Sequence, residues 1–205
     1  MQHLQQFVAL HGKKITYKNS KMIFKAGDKP TNIYLLKEGY VKTFYEAENG
    51  ETITLSLFKP GDFFGVAELF SQKTAHDCSA IGFGEVTLYA ISIEQISAQL
   101  AKDPSFWADL TQILANKIID AHQLIMRLTN LSVPERLAAF LKQYATIDEN
   151  DNLAVNIPLS HEEISYIINC SRQKVTSYLN LWRKQGFISY ERGNIQIRQP
   201  DAIFH

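Results

Sequence analysis

Short stretches of alternating apolar and polar residues fill the chain from residue 14 to residue 92, after a short helical opening. They are rich in Ile, Tyr, Phe, Thr and Val, as in "NIYLLKEGYVKTFYEAENGETITLSLFKPGDFF". Alternation with this composition is typical of half-buried strands. Many short strands separated by turns predict a closed or rolled β structure. The strongest hairpin signal is Asn49-Gly50, and further turn signals are Glu38-Gly39 and Gly82-Phe83-Gly84.

From Asp103 to about Leu131, the apolar residues recur with a helical period, without interruption. Two sets of positions spaced by seven form a heptad-like seam along this helix. A flanking apolar row (Phe106, Leu110, Ile113 and Leu124) would cover the β structure, which leaves the seam for the same helix of a second copy. The alternative is a helix buried inside a monomer. The residues predicted to form the dimer interface are Trp107, Leu114, Ile118, Ala121, Ile125 and Leu128.

The C-terminal third contains two helices and a hairpin. Ser132 and Glu135 are spaced as a capping box that begins the helix "SVPERLAAFLKQYA". In "LSHEEISYIINCSRQKVTSYLNLWRKQGFISYERGNIQI", Ser160 and Ser171 are placed to cap two helices, and Asn169 stands where the turn between them needs a left-handed residue. Helix, short turn, helix and wing is a DNA-binding arrangement in which the second helix enters the major groove. A protein-interaction module is the alternative.

Charge supports the DNA-binding interpretation. The formal net charge is zero, but six basic residues and one acidic residue lie between Cys170 and Pro200, which indicates a surface that faces a polyanion unless it is an ordinary solvated face. Arg reads guanine and Gln can pair with adenine, whereas Lys and Arg also contact phosphates without reading sequence. The predicted base-reading residues are Arg172, Gln173, Thr176 and Ser177, and the predicted phosphate contacts are Ser171, Lys174, Arg183, Lys184 and Arg192.

Composition excludes several other classes. No apolar run is long enough for a membrane span, and the N-terminal segment lacks the layout of a signal peptide. Cys78 and Cys170 lie far apart, so a disulfide framework is not expected and the cytoplasm fits best. The chain has no Gly-rich phosphate loop, nucleophile motif or metal-ligand spacing, so it is not expected to be an enzyme.

These motifs, in this order, resemble the cAMP receptor protein and fumarate-nitrate regulator (CRP/FNR) family of bacterial transcription factors. "IYLLKEGYVKTF" and "LFKPGDFFG" are similar to the β-roll of the family, and "PERLAAFL", "CSRQKVTSYL" and "GFISYERGNIQI" to its DNA-binding half. The resemblance implies an α+β fold with a cyclic-nucleotide-binding-type β-roll over 1–98, a dimerisation helix over 99–131 and a winged helix-turn-helix over 132–205. It also implies a homodimer on a roughly palindromic DNA operator, with RNA polymerase as a partner.

The resemblance also locates the recognition face and an effector pocket. Arg172, Gln173 and Ser177 fall on base-reading positions; cAMP-responsive members have Glu and Arg where this chain has Gln173 and Ser177, so its operator is expected to differ. In the pocket, those members use a glutamate for the ribose and an arginine for the cyclic phosphate. The corresponding pocket residues of this chain are Gly65, Val66, Ala67, His76, Asp77, Cys78, Ala121 and His122.

Four departures in this pocket predict that cAMP does not bind. Val66 and His76 stand at the acid and arginine positions, and a single imidazole does not replace a bidentate arginine–phosphate contact. Asp77 replaces a phosphate donor, and the pair Ala121 and His122 replaces a hydroxyl pair near the adenine. Glu68, two residues after Val66 on a helical turn, is not expected to substitute for the missing acid.

The identity of any effector stays open at this stage. Two distant cysteines cannot hold an iron–sulfur cluster. Haem or a metal on His76, Cys78 and His122 is chemically conceivable, but no cofactor and no metal site is predicted, which leaves a small organic or peptide effector, or none. The leading hypothesis is a homodimeric, sequence-specific transcriptional regulator, activator or repressor. The alternative is a ligand-binding signalling module whose C-terminal domain contacts a protein.

Overall fold

The computed structural model describes residues 2–18, 20–48, 50–71, 73–148, 152–191 and 194–204. These residues form two compact units, 1–122 and 123–205, and the division between them lies within one long helix. Both units mix helices with antiparallel sheet, as the sequence predicts. The units are therefore described one at a time.

The first unit is built on an antiparallel sheet with the strand order β1-β6-β3-β4. Two short strands extend it, since β2 pairs with β6 and β5 pairs with β3. β3 pairs along most of its length with β6 on one side and β4 on the other. The strands are β1 (Lys13–Tyr17), β2 (Met22–Phe24), β3 (Asn32–Glu46), β4 (Thr52–Phe58), β5 (Phe63–Phe64) and β6 (Ser79–Ser92).

Two of the predicted turns are instead irregularities inside long strands. Gly39 (φ 83°) lies within β3 and Gly84 (φ 64°) within β6, and the register between the two strands shifts around Gly39. A Cβ at position 39 would lie 2.5 Å from the Glu85 carbonyl oxygen, so only glycine fits this close approach. Such bulges bend a strand without ending it. The β3–β4 hairpin is confirmed, with Gly50 at φ 80°, whereas Asn49 lies outside the described residues.

Helices cover one face of this sheet and complete a core. Leu4 and Val8 from the first helix meet Phe106, Leu110 and Ile113 in one buried cluster. The flanking row predicted to cover the β structure is thus confirmed at these three positions, whereas Leu124 is half-buried. The N–H of Leu4 also donates to the Asp109 carboxylate at 2.9 Å. The helices are α1 (Gln2–His11), α2 (Ala67–Phe70), α3 (Ile93–Lys102) and α4 (Ser105–Asn130), of which α4 continues into the second unit.

The second unit combines four further helices with a sheet of order β7-β8-β10-β9. The capping box predicted at α5 is present: the Glu135 carboxylate accepts from the N–H and hydroxyl of Ser132 at 2.7 and 2.5 Å. The last helix was not anticipated from the sequence. The elements are α5 (Val133–Tyr144), β7 (Thr146–Ile147), β8 (Leu153–Val155), α6 (His161–Ile168), α7 (Arg172–Lys184), β9 (Ile188–Glu191), β10 (Asn194–Ile197) and α8 (Pro200–Phe204).

One of the two domain limits expected from the sequence falls inside a helix, whereas the limit at residue 131 lies between α4 and α5. The limit at residue 98 falls inside α3, because α3 runs from Ile93 to Lys102. Ser92 begins that helix with a capping box, accepting from the Gln95 N–H at 3.1 Å, a signal that was available in the sequence.

Candidate nucleic-acid interface and sensor pocket

The turn between α6 and α7 has the geometry of a helix-turn-helix. Asn169 ends α6 in the left-handed conformation (φ 50°), the only non-glycine residue with positive φ among those described. The Arg136 guanidinium donates to the Asn169 carbonyl at 3.1 Å and to the Leu128 carbonyl at 3.3 Å. The hydroxyls of Ser160 and Ser171 accept from backbone N–H groups at the starts of α6 and α7. Both predicted caps and the predicted left-handed residue are therefore confirmed.

Helix α7 has one buried and one exposed face. Val175, Leu179 and Trp182 are buried, so the helix is fixed by an apolar ridge three and four residues apart. Three of the four predicted base-reading side chains lie on the exposed surface, and Lys174 is exposed beside them. The exposed base-reading candidates are Arg172, Gln173 and Ser177.

Thr176, the fourth predicted base-reading residue, is in a different environment. It is half-buried, and its hydroxyl lies 2.8 Å from Nδ1 of His161, at the start of α6. The Thr176 hydroxyl is therefore engaged by α6, unlike the side chains of its exposed neighbours. Sequence reasoning did not single out His161, whose partner is distant in the chain.

The predicted phosphate contacts cluster near the ends of α7. Gly186 (φ 75°) ends the helix, where the Phe187 N–H donates to the Trp182 carbonyl, and Arg183 and Lys184 are exposed just before it. Strands β9 and β10 form the predicted wing. Its tip, including Arg192, lies outside the described residues. At the other end, the Ser171 hydroxyl is occupied as the helix cap, which leaves backbone N–H groups there for an anion.

The stretch that resembles an effector cassette is filled by its own side chains. The buried His76 ring stacks on Phe24 with centroids 3.8 Å apart and an interplanar angle of 9°. Its Nδ1 donates to the Glu68 carboxylate at 2.7 Å, and these side chains are only 2% and 15% exposed. Its backbone bonds to Gly27 and Asp28. Val66 is also buried, within the apolar core. The His76 ring is thus buried, paired and stacked within the protein rather than presented to a phosphate.

Sequence reasoning missed the contacts that Glu68 and Phe24 make with His76. Glu68 does not take the place of the acid missing at Val66; it pairs with His76 instead. The eight-residue separation gave no periodic signal for this pair, because it depends on how the chain between α2 and β6 folds back. Phe24 comes from β2, which is distant in sequence but hydrogen-bonded to β6.

The remaining pocket residues lie in different environments. Asp77 is exposed and pairs with Lys73, and burial, with the nearby Glu68 and Asp77 charges, raises the pKa of the Cys78 thiol to about 11. Gly65 has φ 72°; Ala67, Ala121 and His122 are exposed. Within the described residues, no three or more His, Cys, Asp or Glu side chains are grouped to hold a metal ion.

The predicted dimer seam is an apolar stripe along α4. Trp107, Ile118 and Ile125 are 47%, 57% and 58% exposed, and spacings of eleven and seven residues place them on one side of a helix. Ala121 is exposed, and Leu114 and Leu128 are half-buried, Leu114 against the core of the first unit. Ile119 and Met126, which the heptad pattern did not include, widen the stripe at 52% and 61% exposure.

A β-roll, a long helix with an exposed apolar stripe, and a winged helix-turn-helix with a polar recognition face define a DNA-binding regulator. Residues 14–103 match the cyclic nucleotide-binding domain and residues 135–203 match the Crp-like helix-turn-helix domain. The chain belongs to the CRP/FNR family of transcriptional regulators. This confirms the predicted family and fold, and the family is not one of enzymes.

Individual relatives agree over most of the chain. The global nitrogen regulator of Synechocystis sp. is 30% identical over 92% of this chain and 85% of its own length. The cAMP-activated global transcriptional regulator CRP of Pasteurella multocida is 25% identical, over 84% of each chain. The structure of FixK2 from Bradyrhizobium japonicum superimposes with a TM-score of 0.83 at 16% identity, covering 94% of this chain and 95% of that one. None of the described helices could span a membrane.

Proposed function

We propose that this regulator acts as a homodimer that reads DNA sequence with Arg172, Gln173 and Ser177. The observation that carries this proposal is the two-sided environment of α7, in which these polar side chains are exposed above a buried apolar ridge. A helix fixed from beneath and polar on its outer face is suited to the major groove. Arg172 and Gln173 can form bidentate bonds with guanine and adenine respectively.

Phosphate contacts would hold this helix in register. Lys174, Arg183 and Lys184 are exposed on α7, and the N–H groups at its N-terminus, near Ser171, can donate to a phosphate. We assign Arg192 the same role from the wing. Such contacts position a protein on DNA without reading its sequence. RNA polymerase is the further partner that we propose, and the cytoplasm is where we expect the protein to act, since a bacterial regulator must reach its operators there.

The apolar stripe of α4 supports the homodimer. Large apolar side chains lie about half exposed along one side of this helix, and their contact with water is unfavourable. A second copy of the same helix would cover them symmetrically. A two-fold dimer would place two α7 helices in successive major grooves, about 34 Å apart. The operator should then be roughly palindromic.

Selection of bound sequences from random duplexes, with no ligand added, tests this function directly. We expect a two-fold symmetric motif and an affinity that falls by orders of magnitude between about 50 and 200 mM salt, as for six to ten phosphate contacts. Recovery of unenriched sequences, or binding that is absent even at low salt, would contradict the proposal.

We also propose that cyclic nucleotides are not the effector. The His76 ring, at the position where the family resemblance places a phosphate-binding arginine, is occupied by Glu68 and Phe24. Opening this pair to admit a phosphate would expose the anion to the Glu68 carboxylate. Calorimetric titration with cAMP and cGMP should show no micromolar binding. We propose no haem or metal cofactor either; a Soret band between about 350 and 450 nm in freshly purified protein would contradict this.

A further inference from the structure

His161 belongs to α6 and contacts both α7 and β9 of the winged helix-turn-helix. It is the first residue of α6, its Nδ1 lies 2.8 Å from the Thr176 hydroxyl of α7, and its ring centroid lies 5.3 Å from that of Tyr190 on β9. One side chain therefore connects the first helix, the recognition helix and the wing.

The partly buried environment of His161 lowers the stability of the folded domain. Its other ring nitrogen, Nε2, is buried and has no hydrogen-bond partner among the described residues, and an unpaired buried polar group lowers stability. Burial and the nearby Arg172 guanidinium lower the pKa of His161, so the ring is mainly neutral at pH 7. A neutral ring can hold the threonine hydroxyl without adding a charge beside Arg172.

The hydrogen bond to His161 restricts what Thr176 can offer to a base. Threonine χ1 has three staggered positions, and fixing Oγ1 against Nδ1 selects one of them. The hydroxyl is then directed to α6, and the methyl group takes a single defined position. Among base edges in the major groove, a threonine methyl is suited to contact the C5-methyl group of thymine.

We propose that His161 is a specificity-determining positioning residue: it withdraws the Thr176 hydroxyl from base reading, so that Thr176 presents its methyl group and selects thymine. This rests on the proposed DNA-reading function of α7. It extends that function by assigning one base preference to the contact between His161 and Thr176. Of these two side chains, only Thr176 would face the base.

Replacement of thymine by deoxyuridine in the selected operator tests the proposal, because it removes only the methyl group. With the full-length protein, we expect one thymine in each half-site whose replacement weakens binding about four-fold, as for the loss of one buried methyl group. His161→Ala should abolish this discrimination. His161→Asn, whose side chain places a polar atom near the position of Nδ1, should retain it.

Variants of Thr176 separate this role from a merely structural one. Thr176→Ser removes the methyl group and should lose the discrimination, and adding His161→Ala should change nothing more at that position. Thr176→Val keeps methyl groups without a hydroxyl and should discriminate whether or not His161 is present. Thermal unfolding of each variant checks that the domain remains folded.

The outcomes distinguish this inference from the function on which it rests. If the unchanged protein selects no sequence, the proposed function fails. If it selects a motif but no thymine shows the methyl effect, or His161→Ala weakens all operator positions equally, the proposed function stands and the role of His161 is wrong. Loss of the methyl effect in His161→Ala, with retention in His161→Asn, supports the role.

Discussion

Replacing Ile118 by alanine tests whether a second copy covers the apolar stripe of α4. Ile118 is 57% exposed and lies between Trp107 and Ile125, which are 47% and 58% exposed. The substitution keeps helix propensity high and removes no polar contact. Any large effect on self-association therefore comes from lost apolar burial between copies.

The magnitude follows from the exposed fraction. Isoleucine to alanine removes three carbon groups, each worth about 0.8 kcal/mol when fully buried. With 57% of the residue available for burial by a partner, the loss is about 1.4 kcal/mol per copy. A two-fold interface contains this residue twice, so the dimer should weaken by about 2.7 kcal/mol, or roughly 100-fold in Kd. Ile118→Asp, which would also bury a charge, should give monomers.

Sedimentation over a range of protein concentrations measures the change, and Ile147→Ala provides the matched control. Ile147 is 69% exposed on β7, an element separate from α4, and the same atoms are removed there. Operator affinity of Ile118→Ala should fall with dimer affinity and recover at high protein concentration. If both variants dimerise like the unchanged protein, or if both weaken equally, the stripe is not the interface.

Three further predictions concern single side chains. Arg172→Ala should weaken binding to the selected operator by about 1–3 kcal/mol and relax one base preference. Lys184→Ala should weaken binding to all duplexes alike and reduce the slope of its salt dependence by about one. Competition binding against single-base variants of the operator separates the two effects. With a pKa of about 11, the Cys78 thiol should resist alkylation in the folded Cys170→Ser variant at pH 8 and react only after unfolding. Rapid labelling of the folded protein would contradict the environment that we assign to Cys78. Because the pKa of His161 is lowered in the folded state, unfolded chains protonate this residue at a higher pH than folded chains do. The free energy of unfolding should therefore fall as the pH drops below about 6.5. His161→Asn should lose less stability over that range, as thermal unfolding at several pH values would measure.

Local chemistry was the part of the site that could be anticipated from the sequence. Ser171 and Asn169 have local roles, a helix cap and a left-handed residue, that depend on a few neighbouring residues, and both occupy the predicted conformations. The exposure of Arg172 followed from helical spacing once Val175 and Leu179 were assigned to the buried side. Gly39 shows the limit of such signals, because the same glycine serves a turn or a bulge and only the pairing partner decides which.

Contacts between distant segments were decided by the tertiary structure. Glu68 and His76, Phe24 and His76, and His161 and Thr176 pair because separate strands and helices bring them together. The members of each pair lie on different elements or on an element and a loop, so the period of a single helix or strand does not relate them. By itself, then, the sequence determined the family, the order of elements and the polar face of α7, since periodicity and capping act over a few residues. Only the fold decided that the pocket is filled by its own side chains and that the Thr176 hydroxyl is bonded to His161. Both features depend on which distant side chains come close enough to contact each other.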